Sequence, residues 1–94
     1  MEVVINNVKY EVMENVKDAL NIAEVTEYLT EYFDGFDYIL GDYAYGRLRL
    51  KGFNNKENKN YKPYNAIETL EEYINKYCAF GCRYFVISKV KPLK

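Results

Sequence analysis

The chain is expected to be a single α+β domain spanning 1–94, of order β-β-α-β-β-α-β, with a mostly antiparallel sheet and two helices on one face. Three observations lead there. Short runs with period-two alternation punctuate the sequence and read as strands. Two longer runs place apolar residues at helical spacing, each opened by an asparagine with a glutamate three residues on. Finally, 94 residues that are 49 % hydrophobic supply one core and no more.

Glu2–Ile5 and Val8–Val12 form the first hairpin around Asn6-Asn7, because asparagine tolerates the positive φ of a two-residue turn. Val8, Tyr10 and Val12 share one face of the second strand, and Lys9 and Glu11 the other, so this strand is half-buried. The first helix follows, with Asn21 as cap, Glu24 in the capping-box position and Leu20 set against Val25 as a staple. Its stripe is Ile22, Val25, Leu29, Tyr32 and Phe33, and Asp34-Gly35 ends it, with Gly35 able to turn left-handed.

Strands 38–42 and 47–53 come next, joined through Tyr43-Ala44-Tyr45-Gly46. Leu48 and Leu50 point one way from the second strand, and Arg47, Arg49, Lys51 and Phe53 the other. Residues 54–62 are a polar run with nothing to pack, read as a mobile loop. Pro63 closes it by holding Lys62 extended. The second helix opens at Asn65 with Glu68 three residues later, and its stripe is Ile67, Leu70, Ile74, Tyr77 and Cys78. In the last strand, from Arg83 to Val90, Tyr84 and Val86 face one way and Phe85 and Ile87 the other. Both faces are apolar, which predicts a central strand. Residues 91–94 form a tail.

Composition narrows the function. There is no histidine, so the side chain best suited to proton transfer near neutrality is missing, as is the commonest metal ligand. Two cysteines alone do not build a thiolate zinc site, and neither a metal nor a cofactor is expected. No apolar run approaches the roughly 20 residues that span a bilayer. A cytoplasmic protein with reduced thiols and no membrane contact is the expectation. The net charge of −1 hides an asymmetry. Residues 1–42 carry ten acids against two lysines, whereas 43–62 carry six bases against Glu57 alone. Two polarised regions, or two halves that pair with one another, are equally compatible with that pattern.

The run Tyr38-Ile-Leu-Gly-Asp42, then Tyr45-Gly46, then Leu48-Arg-Leu-Lys-Gly-Phe53 resembles the signature of the YutD-like proteins. So does Tyr77-Cys-Ala-Phe-Gly-Cys82 followed by Tyr84-Phe-Val86. These are small cytosolic proteins of Gram-positive bacteria, and the resemblance extends from Phe36 to Ile87. Tyr43-Ala44 stands where a tryptophan and glycine are common, and Arg47 where a glutamine is usual. The resemblance implies an α+β fold, no established function and no catalytic residues to carry over.

Three constellations carry candidate chemistry. Tyr43, Tyr45, Arg47, Arg49, Lys51 and Phe53 of the hairpin, with Lys59, Tyr61 and Lys62 of the loop, set cations beside aromatic faces. That is how single-stranded nucleic acid is held. The same residues equally make an ordinary solvated sheet face. Cys78 and Cys82 form a thiol-switch candidate beside Arg83, weighed against two small buried apolar residues. Asp42, at a strand end near Arg47 and Arg49, is an ion-pair partner or a lone catalytic acid. The first reading is therefore a non-enzymatic module contacting RNA or another polyanion. The alternative is a protein–protein adaptor using the acidic helix and the basic hairpin, followed by a thiol switch or small enzyme.

Overall fold

A computed structural model describes residues 1–77 and 82–90. Its sheet consists of β1 (Glu2–Ile5), β2 (Val8–Val16), β3 (Tyr38–Ala44), β4 (Arg47–Phe53) and β5 (Tyr84–Lys89). All pairings are antiparallel, in spatial order β1-β2-β5-β3-β4. β5 is central, as its two apolar faces predict. The described helices are α1 (Ile22–Tyr28) and α2 (Leu70–Tyr77), with 3-10 turns at Glu31–Gly35, Pro63–Asn65 and Ile67–Thr69. The 78–81 turn and the 91–94 tail lie outside the described residues.

The two helices do not share a face, which corrects the single-sided arrangement. Residues paired directly across antiparallel strands point to the same side. Ile39 pairs with Ile87 and Gly41 with Phe85, and this first face packs with Val25 of α1 and Leu29 just after it. Leu40 pairs with Val86, and this second face packs with Leu70, Tyr73 and Ile74 of α2. The physical reason is visible in β5. Phe85 and Ile87 on one side and Val86 on the other are all essentially removed from solvent, so each face requires its own cover. Helical periodicity defines a stripe to bury but carries no information about which side of the sheet receives it.

The Asn6-Asn7 turn forms as expected, with φ of 52° and 67°. It also does something the sequence does not advertise. The Asn6 side-chain amide donates to the Leu29 carbonyl at 2.8 Å and reaches Thr26 O at 3.4 Å, satisfying carbonyls at the end of α1. The helix therefore stops at Tyr28, not at Asp34-Gly35, and Gly35 does not adopt a left-handed φ. At the other end Asn21 caps α1 as predicted, accepting from the Glu24 N–H at 3.1 Å. Loss of helical register after Leu29 leaves Tyr32 of the expected stripe exposed, and Ile22 at the helix start is exposed as well, while Val25, Leu29 and the half-buried Phe33 remain in the core.

β2 runs on to Val16 through a bulge at Met13, which turns Glu14 toward the second face. The β3–β4 turn is tighter than the four-residue connection read from sequence. Tyr45 and Gly46, at φ 54° and 76°, make a two-residue turn closed by the Ala44–Arg47 pair.

Residues 54–62 also differ from expectation, because several of them do pack. Asn54 is fully buried and its Oδ1 accepts from Asp37 N at 3.0 Å and from Asn58 Nδ2 at 3.0 Å. Asn58 donates onward to the Gly35 carbonyl and to Asp37 Oδ2, which also accepts from Asn55 N. Asn65, expected to cap α2, is itself buried. Its Oδ1 accepts from Lys62 N and its Nδ2 donates to Asn60 O, and regular helix begins only at Leu70. A polar loop and a buried amide network have the same composition, and only tertiary pairing tells them apart.

Candidate interaction surfaces

β3 and β4 distribute the hairpin candidates by parity. Asp42 pairs across the ladder with Arg49 and Ala44 with Arg47, so Arg47, Arg49, Lys51 and Phe53 all lie on the second face. Tyr43 pairs with Leu48 and lies on the first. The cationic row is thus real, but its members differ in what they already do. Arg49 Nε donates to Asp42 Oδ1 at 3.0 Å and its Nη2 to Oδ2 at 2.6 Å, a bidentate pair in which the carboxylate is buried and the guanidinium half-exposed. That hydrogen bonding holds the guanidinium pKa above its ordinary value. Asp42 is consequently occupied as a charge partner, which removes it as a free general base.

Lys51 donates to the Tyr64 carbonyl at 3.2 Å, and its ammonium sits 5.1 Å from the Phe53 ring centroid and 5.3 Å from that of Tyr73. Phe53 is completely buried against α2 and presents no stacking surface. Tyr61 donates to Glu68 at 2.6 Å, raising its own pKa and lowering that of the carboxyl. Arg47 and Tyr45 stay exposed at the hairpin tip, as do Lys59 and Lys62 in the following segment.

Tyr43 belongs to a different arrangement. Its hydroxyl donates to Glu24 Oε1 of α1 at 2.6 Å, and the Arg83 guanidinium carbon lies 3.9 Å from its ring centroid. Burial, followed by the hydrogen bond and charge of Glu24, pushes its pKa up to about 12, against a smaller opposing effect of Arg83. A tyrosine whose folded pKa exceeds its unfolded value of 10.0 favours the folded state while protonated. Its contribution is whole below pH 10.0 and is lost as pH rises toward about 12. Urea unfolding across that window is expected to show falling stability, and Tyr43→Phe to make the fall shallower.

Cys82 is half-buried and disulfide-bonded, which differs from the expected reduced thiol, and Cys78 lies outside the described residues. Among the described residues no cluster of three His, Cys, Asp or Glu could hold a metal. None of their helices is long and apolar enough to cross a membrane.

The acidic helix named in the adaptor reading forms a surface whose aromatic part the sequence did not single out. The outer side of α1 and its following turn exposes Glu27, Tyr28, Glu31, Tyr32 and Asp34. Tyr32 is held edge-on against Phe33 with centroids 5.0 Å apart, so an exposed ring is fixed in place. The available signal was the charge run: between Lys17 and Arg47 there are seven acids and no base. α1 covers the first face and the basic row lies on the second, so the two charged regions sit on opposite sides of the sheet and approach one another only where Lys51 lines a cleft with Tyr32.

Residues 4–88 match the family described as "Putative antitoxin YutD-like". The chain belongs to the YutD-like family. "Putative antitoxin YutD" of Bacillus subtilis (strain 168) is 39% identical over 89 residues, covering 95% of this chain and 98% of that protein. The solution NMR structure of protein yutD from B. subtilis superposes with a TM-score of 0.79 at 38% identity, covering 100% of this chain and 86% of that one. The five-stranded antiparallel YutD-like fold is therefore shared between them.

Proposed function

We propose that this YutD-like protein is a non-enzymatic module that holds another protein, and that its acidic α1 face meets a basic surface of that partner. The observation carrying this reading is the separation of charge across the sheet. Glu27 and Glu31 face solvent beside Tyr28 and Tyr32, with Arg47 and Arg49 of the hairpin on the far side. Tyrosines among like charges suit a protein interface, where aromatic anchors provide contact area and complementary charge speeds encounter. The name of the B. subtilis relative, "Putative antitoxin YutD", points in the same direction, since an antitoxin counteracts another agent.

RNA is the second reading, and Tyr45, Arg47, Lys59 and Lys62 are the candidate residues left uncommitted for it. Arg49 and Lys51 have partners within the fold, Phe53 is buried, and Tyr43 lies across the sheet. The test is affinity purification of tagged protein from a nuclease-treated Gram-positive lysate, beside Glu27→Lys/Glu31→Lys. A stoichiometric basic protein retained by the wild type and lost by the folded variant supports the proposal. Equal retention by both ends it. RNA that co-purifies without nuclease and leaves with salt, in the absence of any protein, transfers the assignment to the hairpin cations.

A further inference from the structure

The outer edge of β4 is a place where the sheet can grow. β4 is the last strand in the spatial order, and among the described residues no strand lies beyond it. The direction of its backbone groups follows from the turn. In a two-residue hairpin the closing pair, Ala44–Arg47, exchanges hydrogen bonds, so groups of Arg47, Arg49, Lys51 and Phe53 point inward to β3. Those of Leu48, Leu50, Gly52 and Asn54 point outward. Bonds at the end of the strand agree with this. Phe53 O accepts from Asp37 N on the β3 side, while Asn54 bonds outward, its N–H to Asn65 O at 2.7 Å and its carbonyl from Ile67 N at 2.9 Å.

The edge is thus already extended at one end by an isolated parallel bridge between Asn54 and Ala66. Tyr64 lies beside Gly52, and among the described residues no strand neighbours the Leu48 and Leu50 groups. Edge groups without a strand partner are the template for strand addition.

The side chains specify what could pair there. On the second face the edge presents Arg47 and Arg49, both exposed. On the first face, Leu50 borders a cleft of about 200 Å³ lined by Tyr32, Phe33, Phe36, Lys51 and Tyr64. A second copy pairing antiparallel through β4 would set these cations against their own equivalents, which is unfavourable. An extended segment alternating acidic and apolar residues meets both faces. Its carboxylates lie opposite Arg47 and Arg49, as Asp42 already does for Arg49 from the β3 side, and its apolar residues face the aromatic cleft.

We propose that the β4 edge at Leu48–Leu50 binds an extended acidic segment of a partner protein by strand addition. This edge adjoins the α1 face, with Tyr32 at the border of both, but pairing at Leu48–Leu50 uses neither Glu27 nor Glu31 and does not depend on the α1 reading. The test is amide NMR of the isotope-labelled chain titrated with a synthetic peptide of alternating valine and glutamate. Lysine-for-glutamate peptide, oligouridylate and protein dilution serve as comparisons.

The glutamate peptide is expected to shift the β4 signals and slow hydrogen exchange at the Leu48 and Leu50 amides by about tenfold or more. Arg47→Glu, at an exposed position, should abolish the effect with its melting temperature retained. No shift at millimolar peptide, or an equal response to the lysine peptide, overturns the proposal. Oligouridylate that moves the Arg47 and Arg49 signals and displaces the peptide without protecting Leu48 and Leu50 would assign the edge to polyanions instead. Concentration-dependent protection without peptide would assign it to a second copy.

Discussion

Phe85→Ala is expected to destabilise the domain by about 3–5 kcal/mol, the range for truncating a buried aromatic side chain. Phe85 is wholly removed from solvent on the central strand, with its ring over Gly41 and its neighbours drawn from β2, β3 and α1. A domain of this size has only about 5–15 kcal/mol in total. At roughly 4–8 °C per kcal/mol, thermal unfolding should move down by well over 10 °C. The check is calorimetry or circular dichroism, with Phe85→Leu as a variant that retains most of the volume and should fold. A melting temperature for Phe85→Ala within a few degrees of wild type would mean that the ring over Gly41 is not part of the core.

Gly41→Ala is expected to be the second most damaging change, costing about 1–3 kcal/mol or more as an overpacked site. A Cβ at residue 41 would stand 2.1 Å from Phe85 Cζ and 2.3 Å from Cε2, well inside van der Waals contact. The glycine is required by this approach, not by its backbone angle, because Gly41 does not take a positive φ. The two positions should therefore couple. Adding Gly41→Ala to Phe85→Ala places a methyl where the ring has gone, so the double variant should be less unstable than the sum of the singles. Denaturant unfolding of all four proteins measures that coupling, and strict additivity would contradict the contact.

Much of this was legible in the sequence, for identifiable reasons. Alternation set the strands, including the centrality of β5 from its two apolar faces, and Asn21 with Glu24 marked the start of α1. Pairing of Asp42 with the hairpin arginines could be anticipated from proximity along the chain. The end of α1 could not, because it is set by Asn6, 23 residues away from Leu29. The side of the sheet taken by each helix was equally hidden. Tyr43 was assigned to the cationic side because the turn was read as four residues. Closing the hairpin at Ala44–Arg47 reverses its parity relative to Arg47 and sends it toward Glu24. For Asn54 and Asn58, polar character suggested solvent, while the fold supplies their partners internally.

The strand in the middle of the sheet is made after the other four described strands. At roughly 5–20 residues per second, a ribosome releases both hairpins before Tyr84–Lys89 emerges to join them. Until then β2 and β3 each present an unpaired inner edge, and the apolar patches meant for Phe85, Val86 and Ile87 stay open. Nascent chains interrupted before Tyr84 should therefore be far more prone to aggregation and proteolysis than the finished protein.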